Sequence, residues 1–135
     1  MLHHLSLGVR DLGVATASYD AVLGALGYRR VFDDDDAVGY GIEDGEDLLC
    51  LKLRPAAAPP GAGFHLAFAA PRRAAVDLFH AAGLQAGGQD NGAPGLCEDD
   101  GPTYYAAFLV DPDGHPIEAV CKAPDGRHEA DAHAA

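Results

Sequence analysis

Thr103–Val120, T-Y-Y-A-A-F-L-V-D-P-D-G-H-P-I-E-A-V, decides how this chain is read. Two apolar runs flank Asp111-Pro112-Asp113-Gly114. Pro fits an early turn position and Gly supplies the positive φ that closes a short hairpin loop, so the stretch predicts a β-hairpin with its loop at Pro112 to Gly114. Its second strand carries one carboxylate, Glu118, between Ile117 and Ala119. A charge in a half-buried strand needs a compensating partner, and solvent, a basic group or a metal ion are the candidates.

Working outward, the chain is 135 residues long, which bounds it to one domain or two small halves, with 48% hydrophobic residues to build a core. A net charge of −12 excludes the basic stripe that nucleic acid or an anionic membrane surface requires. Met1-Leu2-His3-His4 leads into a strand rather than a charged and then apolar leader, and no apolar run reaches transmembrane length, so a cytoplasmic protein is expected. Cys50, Cys97 and Cys121 are widely spaced and odd in number, as reduced thiols are. Cys50 and Cys121 read as small buried hydrophobes.

From the N-terminus, Leu5, Leu7 and Val9 alternate with His4, Ser6 and Gly8, predicting a strand with one bulky and one small face. Asp11 fits an N-cap for a helix over Val14 to Leu26, which Gly27 ends. Strands follow at Tyr28 to Phe32, Val38 to Ile42 and Leu48 to Leu53. Residues 55–62 are a Pro/Ala/Gly linker.

The pattern then restarts. Phe64, Leu66 and Phe68 alternate with His65, Ala67 and Ala69, and a helix runs from Pro71 to Gly83. Leu84 to Ala86 reads as a weak strand and residues 87–102 as a long polar loop before the hairpin, with a short edge strand near Leu96 needed to complete the second βαβββ order. H-L-S-L-G-V-R at His4 and H-L-A-F-A-A-P at His65 are an internal repeat, so the expected fold is α+β, two tandem βαβββ modules related by a pseudo-twofold. Module 1 is assigned to residues 1–54, module 2 to 63–122, and 123–135 to a polar tail.

In both first strands the helix must cover the bulky face, which leaves His4 and His65 on the opposite, small-residue face. With Glu118 they are the candidate ligands of a divalent metal with open positions for substrate. Glu118 is also the candidate catalytic residue. Ser6, Tyr104 and Phe108 are assigned to the pocket, with Phe108 expected opposite Glu118. His115 is expected in solvent, His80 on the surface, and His128 and His133 in the tail. The Asp33 to Asp36 run lacks the spacing of a Ca²⁺ loop.

The paired modules, the opening H-L-S-L-G-V-R-D-L, the restart G-F-H-L-A-F and the ending F-L-V-D-P-D-G-H-P-I-E resemble the vicinal oxygen chelate superfamily, the glyoxalase, bleomycin-resistance and extradiol-dioxygenase group. The resemblance implies a curved mixed sheet cupping a metal-binding concavity, a divalent ion (Fe, Mn, Ni or Zn) on His4, His65 and Glu118, a small-molecule substrate and a homodimer. It also implies a lyase or isomerase-like metalloenzyme that chelates adjacent substrate oxygens. An Fe(II) extradiol-type dioxygenase and a metal-free binder of a bleomycin-type antibiotic are the alternatives. Glyoxalase I carries a carboxylate on the last strand of its first module, where this chain reads Leu48-Leu49-Cys50-Leu51. Dioxygenases and thiol transferases of the group often carry Tyr where this chain has Phe108.

Overall fold

The computed structural model describes residues 1–124, so His128, His133 and most of the tail lie outside the described residues. Strand β1 (Leu5–Val9) buries Leu7 and Val9 and leaves Ser6 exposed, as alternation requires. The Asp11 side chain caps helix α1 (Leu12–Ala25) by accepting from the Val14 N–H at 2.9 Å. Tyr19, Val22 and Leu23 line its buried face. Strands β2 (Arg29–Asp33), β3 (Ala37–Gly41) and β4 (Asp47–Leu53) complete the first module. The second module repeats the order with β5 (Leu66–Ala69), α2 (Arg73–Gln85), β6 (Gln89–Leu96), β7 (Tyr105–Val110) and β8 (Pro116–Cys121).

The α+β class and the tandem βαβββ order are those the sequence predicts. The modules form two open four-stranded sheets, ordered β1-β4-β3-β2 and β5-β8-β7-β6. In each, the first strand runs parallel to the last and the remaining pairs are antiparallel. The repeat extends to register, because Ser6 faces Cys50 across the first parallel pair and Ala67 faces Glu118 across the second.

The two helices pack against each other between the sheets, and one hydrophobic cluster takes Tyr19, Val22 and Leu23 from α1 with Val76 and Phe79 from α2. Gly83 lets them approach: a Cβ there would lie 2.3 Å from Leu109 Cδ1 and 2.9 Å from Val22 Cγ1. Each sheet therefore turns one face to a helix and the other away from it, where Ser6 and Lys52 of the first sheet and Ala67 and Ala69 of the second are exposed.

Two expectations of secondary structure are corrected. Leu84 and Gln85 continue α2 rather than starting a strand. Residues 87–102 are not a single loop but contain β6 and a 3-10 turn at Glu98–Asp100. The sequence around Gly92, Pro94 and Gly95 tolerates a strand because β6 is an edge strand paired only with β7, and its register shifts at Gly92 and Gly95 absorb the irregular residues.

The D-P-D-G turn closes as a three-residue loop, with Asp111 N–H on His115 O at 3.0 Å and Gly114 at φ 89°. Its side chains join the modules. Asp111 Oδ1 accepts from the backbone N–H groups of Asp113 and His115, both at 2.9 Å. Asp111 Oδ2 accepts from the Tyr19 hydroxyl at 2.5 Å and lies 2.8 Å from His115 Nδ1. Asp113 Oδ1 accepts from Arg10 Nε at 3.1 Å and from the Arg10 backbone N–H at 2.8 Å. His115 is accordingly buried (5% exposed), not in solvent, because the carboxylate four residues earlier needs its ring. His80 is also buried, with Nε2 2.9 Å from Asp90 Oδ1 on β6.

Candidate functional site

Glu118 lies at the centre of the second sheet, registered with Ala67 of β5 on one side and Phe108 of β7 on the other. Its neighbours in the strand, Ile117 and Ala119, are buried in the core shared with α2, so period 2 sends Glu118 to the opposite face. It is 2% exposed there. A carboxylate so deep needs donors, and two residues that immediately precede strands supply them. His65, just before β5, sets Nε2 3.1 Å from Oε1. Tyr104, just before β7, donates its phenol to Oε2 at 2.5 Å.

The electrostatics are those of a negatively charged recess. Burial and the neighbouring Glu118 push the Tyr104 hydroxyl well above the ordinary phenol range, so it stays protonated and donating. Burial and the charges of Asp100, Glu118 and Asp99 push the Cys97 thiol up, which keeps it a thiol rather than a nucleophilic thiolate. The His65 imidazole is 58% exposed and forms the open side of the recess.

The structure brings together His65, Glu118, Tyr104 and Phe108 of the expected site. It does not bring His4 or Ser6 to them within one chain. His4 is exposed, its Nδ1 2.8 Å from His3 Nδ1, at a cleft of about 220 Å³ lined by residues of both modules, among them Leu23, Leu66 and Phe68. Ser6 lies on the face of the first sheet turned away from α1. Among the described residues no group of three or more His, Cys, Asp or Glu side chains could hold a metal ion. Sequence reasoning missed the Tyr104–Glu118 bond. Alternation back from Phe108 through Ala106 puts Tyr104 on this face, in keeping with its assignment to the pocket, but the bond itself depends on how the segment before β7 turns.

The family model described as the Glyoxalase/Bleomycin resistance protein/Dioxygenase superfamily matches residues 1–119. A crystal structure of a glyoxalase/bleomycin resistance protein from Albidiferax ferrireducens is similar at 33% identity and a TM-score of 0.73, over 87% of this chain and 94% of that one. A glyoxalase/bleomycin resistance protein/dioxygenase family enzyme from Burkholderia phytofirmans shares the fold at 20% identity and a TM-score of 0.69, over 90% of this chain and 98% of that one. No curated protein matches. No helix among the described residues is long and apolar enough to cross a membrane.

Proposed function

The chain belongs to the glyoxalase/bleomycin resistance protein/dioxygenase superfamily, and on that premise we propose that it is a small-molecule metalloenzyme, lyase or isomerase-like, built on His4, His65 and Glu118. The observation that carries this reading is the His65–Glu118 pair, an exposed imidazole 3.1 Å from a carboxylate buried to 2% exposure in the middle of a sheet. One imidazole nitrogen and one carboxylate oxygen suit a divalent ion such as Fe, Mn, Ni or Zn. They are two donors where an open catalytic site uses about three. His4, which holds in the first module the place of His65 in the second, is the third donor in this proposal. Because the helices stand between the two sheets, it comes from a second copy of the chain.

A divalent ion held there supplies Lewis acidity toward adjacent oxygens of a small substrate. The chain's own part is to hold that substrate against the exposed Ala67 and Ala69, to keep water from Glu118, and to present Glu118 as proton acceptor beside the Tyr104 phenol. Metal analysis of protein purified without chelator, followed by Mn²⁺, Ni²⁺, Zn²⁺ and Fe²⁺ titration, tests the proposal. Expected is one divalent ion per His65–Glu118 pair, lost in His65→Ala and Glu118→Ala. No binding by the wild type, or binding unchanged in these variants, overturns it.

One observation favours a second reading, a metal-free binder of a cationic small molecule. Both Glu118 oxygens already have hydrogen-bond partners, and Glu98, Asp99 and Asp100 place further negative charge on the segment leading to Tyr104. A thermal shift with bleomycin and none with metals selects this reading.

A further inference from the structure

We infer that Tyr104 is the positioning residue of Glu118: its phenol holds Oε2, so that Oε1 alone, beside His65, is offered to whatever binds in the recess. The consequence drawn for a bound metal rests on the reading proposed above; the positioning itself does not.

Glu118 is oriented by fixed points around it. The last torsion of a glutamate side chain is broad, so the carboxylate plane can tilt and aim its free oxygen away from the recess unless a donor holds the other oxygen in place. Tyr104 holds it, because its own backbone is tied down on several sides. The Cys97 N–H donates to Tyr104 O at 2.7 Å, and the Tyr104 N–H donates to Gly101 O at 3.3 Å. Within the same segment Asp100 N–H reaches Cys97 O at 2.9 Å and Gly101 N–H reaches Glu98 O at 3.1 Å, with Gly101 at φ 146°. The residue before, Thr103, donates its hydroxyl to Lys122 O at 2.7 Å, just past the end of Glu118's own strand. Segment 97–104 is thus a strap closed on itself and fastened to β8, and the one side chain it delivers to the carboxylate is the Tyr104 phenol.

His65 does the opposite. It is more than half exposed and free to exchange Glu118 for another partner, whereas Tyr104 is held by the strap. An arriving ligand therefore displaces the imidazole contact at Oε1 and leaves the phenol contact at Oε2. Outer partners of this kind fix a ligating carboxylate and set its affinity.

The test uses the full ¹⁵N-labelled chain without metal and compares the ring nitrogen shifts of His65, at one pH, in the wild type, Tyr104→Phe and Glu118→Gln. If the phenol orients Glu118, Tyr104→Phe moves His65 from a dominant Nε2–H tautomer toward a mixture, in the same direction as Glu118→Gln, while backbone shifts away from the strap stay in place. A Tyr104 that merely fills space leaves the His65 ring shifts at their wild-type values, and that result overturns the assignment. A Co²⁺ titration of the same proteins supplies the second reading. Expected is an affinity about 10- to 100-fold weaker in Tyr104→Phe; equal affinities overturn the assignment. A wild-type chain that binds no Co²⁺ overturns the metalloenzyme reading, and the imidazole shifts then decide the role of Tyr104 alone.

Discussion

The Tyr19 hydroxyl, on the helix of the first module, donates at 2.5 Å to Asp111, in the hairpin turn of the second. Asp111 also takes two backbone N–H groups and the His115 ring, so a buried carboxylate is fully engaged and the two halves share it. Burial by itself pushes the Asp111 carboxyl up, and the hydrogen bonds from His115 and Tyr19 outweigh it, leaving the group below the ordinary carboxylate range.

Tyr19→Phe should therefore cost about 1.5–3 kcal/mol of stability, the range for a hydrogen bond to a charged group, read by urea unfolding. A loss below about 0.5 kcal/mol would show that the bond does not join the modules.

The pH dependence has a definite sign. A group whose folded pKa is depressed contributes stability that is present above its unfolded value, near 3.8 here, and is lost as pH falls through the lower folded value. The wild type should lose stability on acidification across that window, and Asp111→Asn should be less stable at neutral pH with a flatter acid limb. Parallel acid limbs in the two proteins would assign the loss to other carboxylates.

Gly83→Ala places a methyl against Leu109 and Val22, where the added Cβ would lie 2.3 and 2.9 Å from their carbons. Overpacking of this kind costs about 1–3 kcal/mol, against the few tenths to 1 kcal/mol that Ala gains over Gly in a helix. Thermal unfolding should show net destabilisation, and a more stable variant would mean the helices can separate without loss.

If the ligands come from two copies, His4→Ala and Glu118→Ala each abolish metal binding, and a purified heterodimer of the two recovers one site where the wild-type dimer has two. One half-site pair is then intact and the other doubly disabled. Differently tagged chains and metal analysis of the mixed species check this, and no recovery in the heterodimer places all ligands in one chain.

Cys97, with its thiol pushed up by burial and by Asp100, Glu118 and Asp99, should be alkylated more slowly at neutral pH than a free thiol, its rate climbing into the alkaline range. Cys50 and Cys121, buried at 4% and 2% exposure, should react only on unfolding. Mass spectrometry of iodoacetamide-treated protein reads all three sites.

How much of this was legible beforehand follows from where the information resides. The repeat was legible because Leu5, Leu7, Val9 and Phe64, Leu66, Phe68 alternate on one face, and alternation is a local property. The pairing of Phe108 with Glu118 was legible because the D-P-D-G turn sets hairpin register. The burial of His115 and His80 was not, since each is drawn in by a carboxylate, Asp111 or Asp90, whose approach depends on tertiary packing. Strand β6 was expected only as a short edge strand near Leu96; its full length was hidden because its Gly, Pro and Asn content is that of a loop, and only its edge position makes it tolerable. The Tyr104 contact was hidden in the strap, whose shape comes mostly from backbone bonds that leave no side-chain pattern in the sequence.

Pro59, in the linker, rests against the same turn: a Cβ on Gly114 would lie 2.9 Å from Pro59 Cβ. At this turn the linker, the residue just after β1 and α1 all meet the second module. Substitutions at Asp111 or Asp113 would remove this fastening in every copy at once, so they would free the two modules of a chain from each other without offering Tyr19 or Arg10 a substitute acceptor in a neighbouring molecule.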